Sequence, residues 1–124
     1  MKIAVTGGTG FIGSHFLKQA LAAGHAVKAI RRSYASQPCL TISQQLEWVN
    51  GQLDEVTADE LQGCEVLVHF AAHSVQYPFE SLANCLRWNL TAVLALFEQA
   101  RLAGIRRDIV SGSCFEYGRT GAYY

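Results

Sequence analysis

The segment Lys2-Ile-Ala-Val-Thr-Gly-Gly-Thr-Gly-Phe-Ile-Gly13 constrains this chain more than any other, because a short apolar run, a glycine-rich turn and a helix start follow one another without interruption. Ile3, Ala4 and Val5 have the length and character of a fully buried strand in a parallel sheet, and the run stops where the glycines begin. Gly7, Gly8 and Gly10 let the backbone turn tightly and approach a ligand without interference from a Cβ atom. A helix starting near Phe11 directs its unpaired N–H groups and the positive end of its dipole at that turn. The combination favours an anion, and a pyrophosphate fits it.

Two spacings overlap here. Gly8-x-Gly10-x-x-Gly13 is the general dinucleotide fingerprint, and Gly7-x-x-Gly10-x-x-Gly13 is a variant of it. The strand before the glycines and the amphipathic helix after them supply the context that separates a nucleotide site from a bare connecting turn. A nucleoside triphosphate loop is excluded. Gly8 and Gly13 have its spacing, but Ser14 and His15 stand where Lys and Ser or Thr are required.

With 124 residues, half of them hydrophobic, the chain has the size of one domain and the means to build a core. Ten basic and ten acidic side chains cancel, which leaves no electrostatic footprint for nucleic acid or an anionic membrane. The longest apolar run, around Leu90 to Phe97, is far shorter than a bilayer requires, and the sequence opens directly on a strand rather than on a signal peptide. A cytoplasmic location is expected. Cys39, Cys64, Cys85 and Cys114 are scattered with no histidine at ligand spacing, so neither a metal site nor a disulfide framework is predicted.

Beyond the glycine turn, Phe16, Leu17, Ala20 and Leu21 recur at helical spacing and Gly24 ends the helix. Ala26 to Ile30 reads as a second strand, Ser33 to Gln45 as a loop, and Leu46 to Val49 as a third strand. Thr57 to Leu61 suits a helical turn or two, and the apolar run Val66 to Ala72 is predicted to be a central strand. Pro78 is placed in the first turn of a long helix whose buried face carries Leu82, Leu86, Leu90, Val93 and Phe97, with Gly104 as its stop. Ile109 and Val110 begin a further strand. This alternation predicts a doubly wound α/β sheet of about five parallel strands with helices on both faces.

Three separated segments, Thr6-Gly-Gly-Thr-Gly-Phe-Ile-Gly13, Val68-His-Phe-Ala-Ala72 and Ser111-Gly-Ser-Cys-Phe-Glu-Tyr-Gly118, occur in the order found in one family. The chain resembles the extended short-chain dehydrogenase/reductases, the NAD-dependent epimerase/dehydratase family, which mostly act on nucleotide sugars. The likeness runs over residues 1–124 and corresponds to the N-terminal, Rossmann-type NAD(P)-binding portion of such an enzyme, without the smaller C-terminal substrate domain. It implies that Gly7, Gly10, Phe11, Ile12 and Gly13 surround the cofactor pyrophosphate and that Phe70, Ala71, Ala72 and His73 line the cofactor beyond the fourth strand. Small side chains at Ala71 and Ala72 keep the approach open to a flat ligand, although the same alanines also suit packing against a helix. Asn89 matches a family Asn near the cofactor. Its place on the apolar stripe predicts a buried amide that must find partners, as a structural bridge or as a ligand contact.

Arg31 stands where NAD-preferring members carry an acidic residue for the adenosine ribose, and Arg32 follows it. Without that carboxylate a 2′-phosphate is not repelled and a guanidinium can bind it, so NADP is expected ahead of NAD; two solvated arginines at a strand end are the alternative. Gln52 occupies the place of an Asp that contacts the adenine amino group, and Leu53 beside it is counted with the cofactor-binding residues. Asp54 is read as a turn residue.

By the same resemblance Ser113 is the catalytic hydroxyl that orients the substrate, and Ser111 lies nearer the cofactor. The family's proton donor is a Tyr assisted by a Lys four residues later, and no Tyr-x-x-x-Lys occurs in this sequence. Tyr117 is followed four residues later by Gly121, and a tyrosine with an ordinary pKa near 10 is a poor base at neutral pH without a neighbouring cation. The chain alone is therefore expected to be inactive. Two readings stand: the cofactor-binding part of a nucleotide-sugar epimerase, dehydratase or reductase, and a non-catalytic NAD(P)-binding sensor. A sheet edge left unpaired by a missing strand also makes a homodimer possible.

Overall fold

The computed structural model describes residues 1–113 as five strands, three α-helices and one π-helical turn. The strands are β1 (Lys2–Thr6), β2 (Ala26–Arg31), β3 (Glu47–Asn50), β4 (Val66–His69) and β5 (Arg107–Val110). All pair in parallel in the order β3-β2-β1-β4-β5, with Val5 beside Ala29 on one flank and beside Val68 on the other. The chain first builds outward from β1 through β2 to β3, then returns to lay β4 and β5 on the opposite side. At that reversal the connections leaving β1 and β4 diverge, which opens a crevice at the carboxyl ends of the two strands.

Residue alternation along the strands feeds two cores on opposite faces. Ile3, Val5, Val27, Ala29, Val66 and Val68 pack with Leu17 and Ala20 of α1 (Phe11–Ala22). Ala4, Ile30, Val49 and Leu67 pack on the other face with Leu96 and Ala100 of α3 (Ala92–Leu102). The doubly wound α/β architecture with helices on both faces is thus observed. Lys28, buried within β2, is satisfied by an ion pair with Glu47 at 2.9 Å and by donating to the Glu60 carbonyl.

Several boundaries differ from the sequence reading. The run Val66 to Ala72 contributes only Val66–His69 to the sheet, in an interior position beside β1, and Phe70 to Ala72 leave it to line the crevice. Strand β5 begins at Arg107, two residues before Ile109. Thr57 to Leu61 forms successive tight turns, with Leu61 N–H donating to the Ala58 carbonyl at 3.1 Å. Its start is fixed by the Glu60 carboxylate, which accepts from the Thr57 N–H at 2.9 Å and the Thr57 hydroxyl at 3.0 Å.

The helix placed at Pro78 instead begins as α2 (Leu82–Leu86), capped by Ser81 Oγ accepting from Asn84 N–H at 3.2 Å. A π-helical turn, Arg87–Thr91, joins α2 to α3. This wider turn rotates the register. As a result Leu82, Leu86 and Leu90 are exposed, Val93 and Phe97 are half-buried, and Ala92, Leu96 and Ala100 form the buried face.

Candidate functional site

The crevice is a cavity of about 540 Å³ lined by Gly7, Thr9, Gly10, Ile30, Arg31, Arg32, Gly51, Gln52, Leu53, Phe70, Ala71, Ala72, His73, Ser74 and Trp88. Ten residues singled out from the sequence therefore meet in one place: Gly7, Gly10, Arg31, Arg32, Gln52, Leu53, Phe70, Ala71, Ala72 and His73. Phe11 and Ile12 stand exposed in the first turn of α1, outside the cavity wall. Gly13 is buried behind that wall, where a Cβ atom would lie 2.1 Å from the Gly7 carbonyl oxygen.

The glycine turn is built as its sequence requires. Gly7 has φ +70°, and a Cβ atom on it would meet Ala71 N and Phe70 C at 2.6 Å. The end of β1 thus touches the departure of β4 backbone to backbone. Gly10 is the N-cap residue of α1, with no side chain capping the helix and no acidic residue in its first turn. The amino end of α1 is therefore open to an anion of the size that the glycines leave room for. These features fit the pyrophosphate of a nicotinamide coenzyme.

At the far end of the cavity the two arginines have different surroundings. Arg31 is 9% exposed and its guanidinium lies 4.4 Å over the Trp48 ring and 5.2 Å over that of Tyr34. Its Nε donates to Asn50 Oδ1 at 2.8 Å. Arg32 is exposed on the same wall. Gln52 sits in a turn stabilised by its own N–H donating to Glu55 Oε2 at 2.7 Å, and the neighbouring Asp54 pairs with Arg87 at 3.7 Å.

Asn89 is exposed rather than buried, because the π-turn carries it off the packed face. It still bridges: its amide oxygen accepts from His73 N–H at 2.7 Å and its amide nitrogen donates to the His73 carbonyl at 3.0 Å. His73 Nε2 lies 3.2 Å from Glu80 Oε2, and this contact, with the Asn84 amide, holds the Glu80 carboxyl below its usual range. Ser74 adopts φ +57° and its hydroxyl accepts from Glu80 N–H at 2.8 Å. The segment from His73 to Glu80 is closed on itself beside the cavity.

Ser111 is bound to the end of β4, its N–H and hydroxyl both donating to the His69 carbonyl at 3.1 and 3.3 Å. Ser113 is exposed at the end of the described residues, and neither serine lines the cavity. Cys114, Tyr117, Tyr123 and Tyr124 lie outside the described residues. Trp88 and Ser74 were missed from the sequence. Trp88 gave no signal because a helical period without a π-turn sends it elsewhere.

His69 is 5% exposed, and burial pushes its imidazole below the ordinary value of 6.5. The unfolded chain takes up this proton more readily than the folded one. Stability is therefore expected to be unaffected by this group above about pH 6.5 and to fall as pH drops toward the lowered folded value. Denaturant unfolding between about pH 8 and pH 5 measures it, and His69→Asn should lose less stability over that interval than the wild type.

A model of the NAD dependent epimerase/dehydratase family matches residues 3–123. A protein of Synechocystis sp. provisionally named dihydroflavonol 4-reductase is 32% identical over 118 residues, covering 94% of this chain and 34% of its own length. The UDP-glucose 4-epimerase of Klebsiella pneumoniae is 32% identical over 133 residues, covering 95% and 93%. The structure of MoeE5 in complex with UDP-glucose and NAD superposes with a TM-score of 0.80 at 29% identity, over 95% of this chain and 38% of that one. The chain thus spans about a third of the Synechocystis protein and under two fifths of MoeE5. No helix among the described residues is long and apolar enough to cross a membrane. Sequence, fold and crevice together establish that the chain belongs to the NAD dependent epimerase/dehydratase family.

Proposed function

We propose that these residues form the coenzyme-binding portion of an NAD(P)-dependent epimerase, dehydratase or reductase acting on a nucleotide sugar. The observation that carries this reading is the close-packed glycine turn, with Gly7 against Ala71 and Gly13 against Gly7, opening onto a cavity at the sheet's reversal. The bound coenzyme supplies hydride transfer to or from a substrate carbon. The open end of α1 and the N–H groups around Gly10 hold the pyrophosphate; Ala71 and Ala72 leave room for the ribose-nicotinamide half. Ser113 orients the substrate oxygen, and Ser111 fixes the backbone two residues before it.

In this family a Tyr assisted by a Lys four residues later serves as proton donor, and residues 1–124 contain no Tyr-x-x-x-Lys pair, so turnover is expected to require that pair from elsewhere in the protein. The alternative is a non-catalytic NAD(P) sensor. The two readings part on a simple assay: nucleotide-sugar turnover by the full native reading frame supports the enzyme, whereas coenzyme binding without turnover by that protein supports the sensor.

The coenzyme is NADP in preference to NAD. No carboxylate is paired with either arginine at the end of β2 among the described residues, and a 2′-phosphate meets positive charge there. Arg31 is held by Trp48 and Asn50 and forms the wall, which leaves Arg32 as the side chain able to reach the phosphate. Arg32→Ala is expected to weaken NADP binding by roughly 10- to 100-fold, the worth of a charge-assisted contact, while leaving NAD within about threefold. Isothermal titration with both coenzymes tests it, and equal losses for NAD and NADP would reject the assignment. Failure of the wild-type chain to bind either at about millimolar concentration would reject the site.

A further inference from the structure

Three successive residues of the π-helical turn reach the walls of the crevice. Asn89 clamps both backbone groups of His73, at 2.7 and 3.0 Å, and so holds the segment that follows β4. Arg87 reaches the segment that follows β3, pairing at 3.7 Å with Asp54, one residue beyond Leu53 of the cavity wall. Between them the half-buried indole of Trp88 forms part of the same wall. The Arg87 guanidinium lies 4.9 Å over its ring, and the His73 ring is 6.3 Å away at a tilt of 47°. In an unbroken α-helix successive side chains point about 100° apart, so three in a row directed at one crevice depend on the wider turn.

Resting on the coenzyme-site reading above, we propose that Trp88 holds the adenine of the coenzyme by ring stacking, and that Arg87 is a positioning residue that sets the indole at the adenosine end through its pairing with Asp54. Arg31 and Arg32 at the end of β2, with Gln52 and Leu53 beyond β3, mark that end of the cavity. The ion pair to Asp54 draws the π-turn to the Leu53 side of the cavity. Of the other aromatic rings in the wall, Phe70 packs edge-on against Phe16 and the core beneath it, and His73 is held by Glu80 at 3.2 Å. Trp88 is the large flat surface left for a base. Adenine is the flat part of the coenzyme at this end, and stacking on an aromatic face suits it with little demand on hydrogen-bond geometry. The Arg87–Asp54 pair is exposed and worth little by itself, so its effect lies in where it places the indole.

The test measures dissociation constants of NADP, NAD and ADP for the full chain and its variants. ADP carries the adenine and the pyrophosphate without the nicotinamide half. Trp88→Ala is expected to weaken all three ligands by a common factor of about tenfold or more, whereas Trp88→Phe, which keeps a ring, should lie within about threefold of the wild type. Trp88→Leu keeps apolar bulk without a ring face and should lose about fivefold or more. Arg87→Met should lose about two- to fivefold, equally for ADP and NAD. Indole fluorescence is an independent readout: ADP should change the emission of the wild type, and most of that change should vanish in Trp88→Phe, where Trp48 is the remaining indole. Loss for NAD with ADP unaffected, wild-type affinity in Trp88→Leu, or a full ADP response in Trp88→Phe each overturns the proposal. Should Trp88→Ala fail to fold, the Leu and Phe variants and the fluorescence decide the matter. A wild-type chain that binds neither coenzyme nor ADP rejects the site itself, a result distinct from loss in the variants alone.

Discussion

Gly13→Ala is expected to abolish measurable coenzyme binding and to lower thermal stability in the same protein. The new Cβ atom would lie 2.1 Å from the Gly7 carbonyl oxygen, 2.7 Å from Gly7 C and 2.8 Å from Gly8 Cα. All three are backbone atoms, so no side-chain rotation relieves the clash. Helix α1 must retreat from the glycine turn, and the amino end meant for the pyrophosphate moves with it. Overpacking of this kind costs about 1–3 kcal/mol in stability, and the affinity loss is expected to exceed about 100-fold because binding depends on the displaced amides. Gly8→Ala is a graded comparison, since its Cβ meets the Leu17 side chain at 2.8 Å, which can adjust. Gly63→Ala is the control: its φ of +77° imposes backbone strain of about 1 kcal/mol, but nothing lies within 4 Å and the site is remote. Titration calorimetry and thermal melts on the three variants separate the effects, and Gly13→Ala binding within about threefold of wild type would refute the argument.

The glycine turn was legible because its determinants are local. An apolar strand, glycines at fixed offsets and a helix start lie within twelve successive residues, and each constrains the backbone of the next. The opposite wall was legible for a related reason, since Phe70 to Ala72 follow a strand whose apolar run is unmistakable. What escaped depended on contacts between distant segments. Nothing near Arg31 in sequence announces that Trp48 and Asn50, on the neighbouring strand, absorb its guanidinium. Likewise the contact of the Thr6 hydroxyl with His69 Nδ1 at 2.7 Å joins residues 63 positions apart. Asn89 was found to be a bridge as the chemistry of an amide suggests, but its surroundings were misjudged because helical periodicity was carried through a π-turn.

That error defines the second large effect. On an uninterrupted 3.6-residue period, Leu82, Leu86, Leu90, Val93 and Phe97 share a face, and Leu90 belongs at the centre of the contact with the sheet. With the π-turn at Arg87–Thr91 the inward row becomes Ala92, Leu96 and Ala100. Leu96 is fully buried among Ala4, Ile30, Leu67 and Ile105, whereas Leu90 is 52% exposed. The two alanines of the row let the helix approach the sheet closely, so a void at Leu96 has little means of collapsing. Leu96→Ala is therefore expected to cost about 2–5 kcal/mol, a substantial share of the roughly 5–15 kcal/mol available to a typical domain. Leu90→Ala should stay within about 0.5 kcal/mol. Chemical denaturation of both variants distinguishes the two faces directly, since a simple helical period assigns the larger loss to Leu90. Because Asn89 is held to His73 from the π-turn rather than from the buried face, the Leu96→Ala cavity should also leave coenzyme affinity nearly unchanged wherever the variant remains folded. Stability and binding are thereby assigned to different sides of one helical segment.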